Sequence, residues 1–237
     1  MEDKPLCYTY EFHKGENTAV FQVKLNKETL EQMPDTDSIP PDWALLEHHQ
    51  CSICPFSKDT TKYCPTTAAI AKVVEQFKNI SSTETIEVTI TTPERRISAL
   101  TSVQEAASPL IGLLMATSEC PHTFFLRPLA RFHSPLVSEE ENLFRTVSMY
   151  MFAQYYRANR RLPVDTEMQG LVEKFRNMNK INMHLSNRIR SATAKDGSLN
   201  ALVLLDLLAQ AIPYVIGDKM QELEYLFNYY LSDDKIQ

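Results

Sequence analysis

Apolar and polar positions alternate at both ends of the first hundred residues. Tyr8, Tyr10 and Phe12 share one side, Phe21, Val23 and Leu25 repeat the period of two, and turn residues from His13 to Asn17 lie between them. This pattern predicts a β-hairpin. Ile86, Val88 and Ile90 alternate again, Thr92-Pro93-Glu94 turns the chain, and Arg96 to Thr101 returns as the partner strand. Between the hairpins the period changes. Ile70, Val73, Val74 and Phe77 recur at i, i+3, i+4 and i+7 after Cys64, which predicts a helix capped by Thr66 or Thr67. Three prolines and three aspartates from Met33 to Asp42 predict a loop that leads to Trp43.

From Ser108 the spacing becomes helical. Ser108-Pro109 supplies a cap and a first-turn proline before Leu110, Ile111, Leu113 and Leu114, in a helix expected to end near Thr117. Ser138-Glu139-Glu140-Glu141 opens a helix to about Arg160 through a capping box and an acidic first turn, with Leu143, Phe144, Val147, Met151 and Tyr155 as its apolar face. Asp165 to about Ala194 carries a long amphipathic pattern, with a break expected near Asn177 to Asn179. An apolar helix from Ser198, bent at Pro213, and a last helix through Met220, Leu223, Leu226, Phe227 and Tyr230 complete the reading.

The fold class that follows is α+β: a small antiparallel sheet of about four strands with an inserted helix, followed by a C-terminal helical bundle. Residues 1–107 form the α+β part with its cysteine-rich loop and residues 108–237 the helical part, joined as one cooperative domain.

Composition narrows the function. Only five glycines occur, and no two lie within four residues of each other, so Gly-rich phosphate loops are excluded. Gly-x-Ser-x-Gly and His-Glu-x-x-His are absent too. A net charge of −6 argues against a nucleic-acid surface, which carries a basic footprint. Met1 to Leu6 is charged and lacks the apolar run of a secretory signal, so the cytoplasm is the expected compartment. Leu199 to Ile216 approaches the length of a membrane span but contains Asn200, Asp206, Gln210 and Pro213, and reads as a buried helix. Asp206 there should meet Arg188, Arg190 or an amide.

The cysteines carry the strongest chemical signal. Cys51-Ser-Ile-Cys54 is followed by Cys64 and, far downstream, by Cys120; Cys54, Cys64 and Cys120 each precede proline. A two-residue spacer folds as a tight turn that brings two sulfurs to one ion, and two further thiolates complete a tetrahedral set. Zinc is the preferred occupant and an iron–sulfur cluster the alternative, since scattered single cysteines also suit a cluster. A structural zinc of this kind contributes ~10–16 kcal/mol of apparent binding energy where it behaves as in zinc fingers. His48, His49 and His122 compete for the fourth position, and Cys7 reads as packing. A third reading makes Cys51 and Cys54 a redox dithiol, although the βαβ context of thioredoxin-like motifs is missing.

Other groups are weaker. Glu119-Cys-Pro-His122 has the spacing of half a di-iron motif, but no second copy exists. Arg127, Arg131 and His133 suit a phosphate or carboxylate, or else ion pairs with Glu139, Glu140 or Glu141, which is the expected use. Arg157, Arg160, Arg161, Arg176, Lys180, Arg188 and Arg190 read as solvated helix faces. Tyr150, Tyr155, Tyr156, Tyr229 and Tyr230 read as helix-on-helix packing.

The ordered set Cys51 to Pro55, Tyr63-Cys64-Pro65, Cys120-Pro121, Arg131 to Pro135 and Ser148 to Met151 resembles an uncharacterised bacterial protein family, over most of the chain. No activity is attached to that family. The resemblance implies that the cysteines act as a unit and includes Cys120 in it. No catalytic residue or small-molecule cofactor site emerges, so the chain reads as a metal-stabilised binding or regulatory protein with an unassigned protein partner or small ligand and an open oligomeric state.

Overall fold

The structure is a computed structural model that describes residues 4–33, 39–192, 200 and 223–232. The helix expected from Ser198 through Pro213, with Asp206, lies outside the described residues, as does the start of the last one. Among the described residues no helix is long and apolar enough to cross a membrane.

The architecture is α+β. Strands β1 (Leu6–Lys14), β2 (Asn17–Leu25), β3 (Thr85–Thr91) and β4 (Arg96–Ser102) form one antiparallel sheet in the order β2-β1-β3-β4. Gly15, at a φ of 59°, opens the two-residue turn of the first hairpin, a backbone region where a Cβ is disfavoured. Register places Tyr10 opposite Phe21 on one side and Ile90 on the other, so the apolar sets fall on one face. Tyr8, Tyr10, Phe12, Val88 and Ile90 are buried there, while Val20 and Leu100 face solvent. Each such large side chain contributes roughly 1.5–3 kcal/mol by leaving water.

Helices α1 (Pro65–Phe77) and α2 (Val103–Thr117) belong to the core built on that face. Phe77 meets Phe12 edge to face with ring centroids 5.0 Å apart. The N-cap of α1 is Cys64 itself, with Pro65 in the first turn; Thr66 and Thr67, the expected caps, are buried inside the helix. Helix α2 begins six residues earlier than Ser108-Pro109 suggests. Ser102 and Glu105 form a reciprocal capping box, and Val103, Ala106 and Ala107 are fully buried. Pro109 therefore sits inside the helix, where burial on both sides outweighs the hydrogen bond its missing N–H forgoes.

A 3-10 turn at Pro121–Leu126 and the short α3 (Arg127–Arg131) lead to α4 (Glu139–Asn159) and α5 (Gln169–Ala192). Ser138 caps α4 by accepting from the Glu141 N–H. On α4, Leu143 is buried as expected, but Phe144 and Tyr155 are exposed. Tyr156, Tyr229 and Tyr230 are exposed as well, so these rings do not serve as interhelical packing. Helix α5 runs through Asn177 to Asn179 without a break, because Phe175, Met178 and Ile181 stay in phase on its buried side. Asp165 accepts from the Gln169 and Gly170 N–H groups at the start of α5 and from the Tyr150 hydroxyl of α4, tying the two helices together. The turn at Glu224–Phe227 and α6 (Asn228–Leu231) are the last described elements, and Phe227 stacks against Phe144.

Candidate functional site

The cysteine loop is closed at its base. The Leu46 N–H donates to Lys62 O at 2.9 Å and the Cys64 N–H to Ala44 O at 2.9 Å, which holds the ends of segment 44–64 together. Within it, the Cys54 N–H donates to Cys51 O at 3.0 Å. That bond is the tight turn a Cys-x2-Cys pair needs to direct two sulfurs the same way. Cys64 stands at the N-terminus of α1, and Cys120 at the N-terminus of the Pro121–Leu126 turn, where its carbonyl accepts from the Thr123 N–H and hydroxyl. Proline at the first position of both turns fixes the exit direction without removing a needed donor.

These three separate starting points lead to one place. Cys51, Cys54, Cys64 and Cys120 line a single cavity of about 30 Å³. Its opposite wall is α5, through Ile181, His184, Leu185 and Arg188. The sulfurs share the cavity without converging on a point: among the described residues no group of three or more His, Cys, Asp or Glu side chains is placed to hold a metal ion. Neutral thiols gain nothing by converging, whereas thiolates around a cation do, and rotation about the Cα–Cβ bonds is the available adjustment. All five cysteines are free.

Burial sets the electrostatics. It pushes the Cys51 thiol up, reinforced by Cys54 and Cys64 and opposed by the Ile53 N–H and Arg188. It also raises Cys120, opposed by the His122 N–H and the Thr66 hydroxyl. Thiols raised in this way are poor nucleophiles at neutral pH. Against them stands Arg188, 2% exposed, whose guanidinium donates to Trp43 O at 3.2 Å, Leu45 O at 2.6 Å and Leu46 O at 2.9 Å. Burial lowers its pKa, and the neighbouring Cys64, Cys54 and Cys51 act in the opposite direction. A buried guanidinium beside sulfurs favours their anionic form.

The histidines divide. His122 reaches the cavity, with its Nε2 2.8 Å from Ile53 O. His48 instead bonds Ser191 and is stacked edge to face on His49. His184, which no metal-ligand spacing in the sequence singles out, accepts from the Ser52 N–H at 3.3 Å and lines the cavity. Arg188, expected on a solvated face, is buried. Both fall on the stripe Ile181, His184, Leu185 and Arg188, and that i, i+3, i+4, i+7 spacing is the signal that would have found them. Cys7 is exposed on β1 rather than packed, with only a weak contact to Pro5 O.

The second arginine cluster serves the fold. Arg131 pairs with Glu94 at 2.7 Å and Arg127 with Glu31 at 3.4 Å, instead of with Glu139, Glu140 or Glu141. Tyr10 and His133 share a hydrogen bond under the sheet, and Tyr8 donates to Arg131 O at 3.0 Å. Most of the His133 ring is enclosed even though the residue keeps some surface. Burial lowers its pKa to about 4, with Arg145 acting in the same direction.

The chain belongs to the family described as a domain of unknown function, DUF6901, whose family model matches residues 6–228. This agrees with the resemblance to an uncharacterised family. No curated protein and no solved structure is detectably similar to the chain.

Proposed function

We propose that this chain is a metal-stabilised binding or regulatory protein in which Cys51, Cys54, Cys64 and Cys120 hold one zinc ion. The observation that carries the reading is the buried Arg188 beside the cysteines. A guanidinium taken out of water is costly unless an opposing charge lies nearby, and carbonyl oxygens supply only partial charge. Four thiolates on a divalent cation carry a net charge of −2 at that position and answer it. Thiols alone do not.

The cysteines come from the loop, the start of α1 and the turn after α2, and they face α5. A metal would therefore fasten the sheet-bearing half to the helical half and contribute folding energy directly. The reducing cytoplasm, where thiols persist without disulfides, is the compartment this reading calls for. The partner is a protein or small ligand recognised elsewhere on the surface.

An iron–sulfur cluster for electron transfer or redox sensing is the second reading, supported by the same four sulfurs. The cavity of about 30 Å³ has room for only about two waters, at about 10–15 Å³ each, which suits a single ion better than a multi-iron cluster. A dithiol oxidoreductase is less well supported, because burial raises Cys51 and a resolving pair needs an accessible low-pKa thiolate.

Cobalt(II) loading of the metal-free protein tests the proposal. Four thiolates around cobalt give intense thiolate charge-transfer absorption and tetrahedral visible bands, and Cys→Ser at any of the four positions should weaken them. A pale, octahedral cobalt spectrum would overturn the ligand set.

A further inference from the structure

A second and larger hollow lies along α4, away from the cysteines. It measures about 1150 Å³, with Phe124, Phe125 and Phe132 on one side and Phe144, Met149 and Phe152 on the other. Its α4 positions run from Phe144 to Arg157, so at 1.5 Å per residue the trough follows the helix for about 20 Å. Phe132 is 65% exposed and Phe152 60%. Exposed aromatic surface gathered in one concavity marks a binding groove, whereas single exposed rings do not.

The charge of the trough is opposite to that of the molecule. Among the described residues Arg145, Arg157 and Lys174 line it, with Asp165 as the one carboxylate, in a chain of net charge −6. Asp165 is already occupied by the Tyr150 hydroxyl and the Gln169 and Gly170 N–H groups. Among the described residues none of the three cations makes an ion pair. Arg145 donates to Phe132 O at 2.6 Å, Arg157 donates to Pro163 O at 2.7 Å, and Lys174 lies 5.5 Å over the Phe125 ring. Glu141 lends Arg145 only a longer-range field.

We propose that this trough binds a long-chain carboxylate, with its head on Arg145 and its chain laid along α4 over Met149 and Phe152. Arg145 is the half-buried cation of the three, and a guanidinium presents a fork that a carboxylate fills with charge-assisted hydrogen bonds. The chain covers aromatic surface that otherwise faces water. A second copy of the protein is the poorer occupant, because a two-fold contact would press one basic trough, with Arg145, Arg157 and Lys174, onto the same basic trough of the other copy.

The test is displacement of a fluorescent polyene carboxylate from the full-length protein by hexadecanoate, with hexadecanol as the neutral comparison. Saturable binding is expected, with the alcohol weaker by about tenfold or more. Arg145→Gln should weaken the acid by about tenfold and leave the alcohol unchanged. Ala153→Trp, which fills the trough from an exposed helical position, should abolish binding at an unaltered melting temperature. Equal affinity for acid and alcohol, unchanged binding by Ala153→Trp, or no saturable binding would each overturn the proposal. A dimer that Ala153→Trp dissociates would also overturn it and make the trough an interface between copies.

Discussion

Arg188 in α5 donates to the carbonyl oxygen of Leu46 at 2.9 Å across 142 residues of sequence, in a fully buried contact. The same guanidinium reaches Trp43 and Leu45, so one side chain of the helical half organises the backbone that leads into the cysteine loop. Arg188→Met should destabilise the fold by about 3 kcal/mol or more, since three carbonyls lose a charged donor. Arg188→Lys should recover only part of this, because an ammonium lacks the planar fork. Urea denaturation of the two variants measures both effects, and equal stability of Arg188→Met and the parent would contradict them.

The serine series separates ligands from bystanders. Cys→Ser at positions 51, 54, 64 and 120 should each reduce metal occupancy and melting temperature together, whereas Cys7→Ser, on the exposed strand position, should alter neither. Full occupancy in Cys120→Ser would transfer the fourth position to His122, His184 or water.

Acid should weaken the fold through His133. Its native pKa of about 4 lies below the ordinary 6.5, so the unfolded chain takes up a proton first as pH falls, and stability decreases between those values. The sign is that of a base buried neutral: the contribution is intact above about pH 6.5 and declines by about 3 kcal/mol by about pH 4. If the proposed zinc site is filled, metal release by acid should affect the parent and a His133→Gln variant alike. The informative quantity is therefore the difference between their stabilities at about pH 7 and about pH 4, and parallel losses would contradict the assignment.

Gly170→Ala should destabilise despite alanine's helix preference. A Cβ there would stand 2.6 Å from the Tyr150 hydroxyl oxygen and 3.2 Å from Asp165 Oδ2. Either the Tyr150–Asp165 bond yields or the start of α5 moves, at a cost of about 1–3 kcal/mol. Most of that range exceeds the gain of about 1 kcal/mol expected for Gly→Ala in a free helix. Thermal denaturation of Gly170→Ala alone and combined with Tyr150→Phe, which removes the obstructing hydroxyl, would show whether the penalty shrinks as expected.

Much of the fold is legible because two periods are kept cleanly. The hairpins follow from strict alternation at Tyr8 to Phe12 and Ile86 to Ile90, and the α5 stripe from Leu171 to Ile189. What misleads is local chemistry set against tertiary burial. Ser108-Pro109 has the form of a helix start, but Val103, Ala106 and Ala107 are buried against the sheet and Ser102 caps the chain earlier. Charge alone placed Arg188 in solvent, although its phase with Ile181 and Leu185 puts it inside. At the site, the Cys51–Cys54 turn is encoded by spacing and the α5 stripe marks His184 and Arg188 as inward-facing, whereas their meeting with a loop more than a hundred residues away is set by tertiary packing.

The most direct test of the central claim is metal content per chain, by elemental analysis with a visible spectrum, on protein purified without oxygen or chelator. The account predicts about one equivalent of zinc and no visible absorbance, as four thiolates on one closed-shell ion require. Metal-free protein that is fully folded, with four titratable thiols in the cavity, would contradict it.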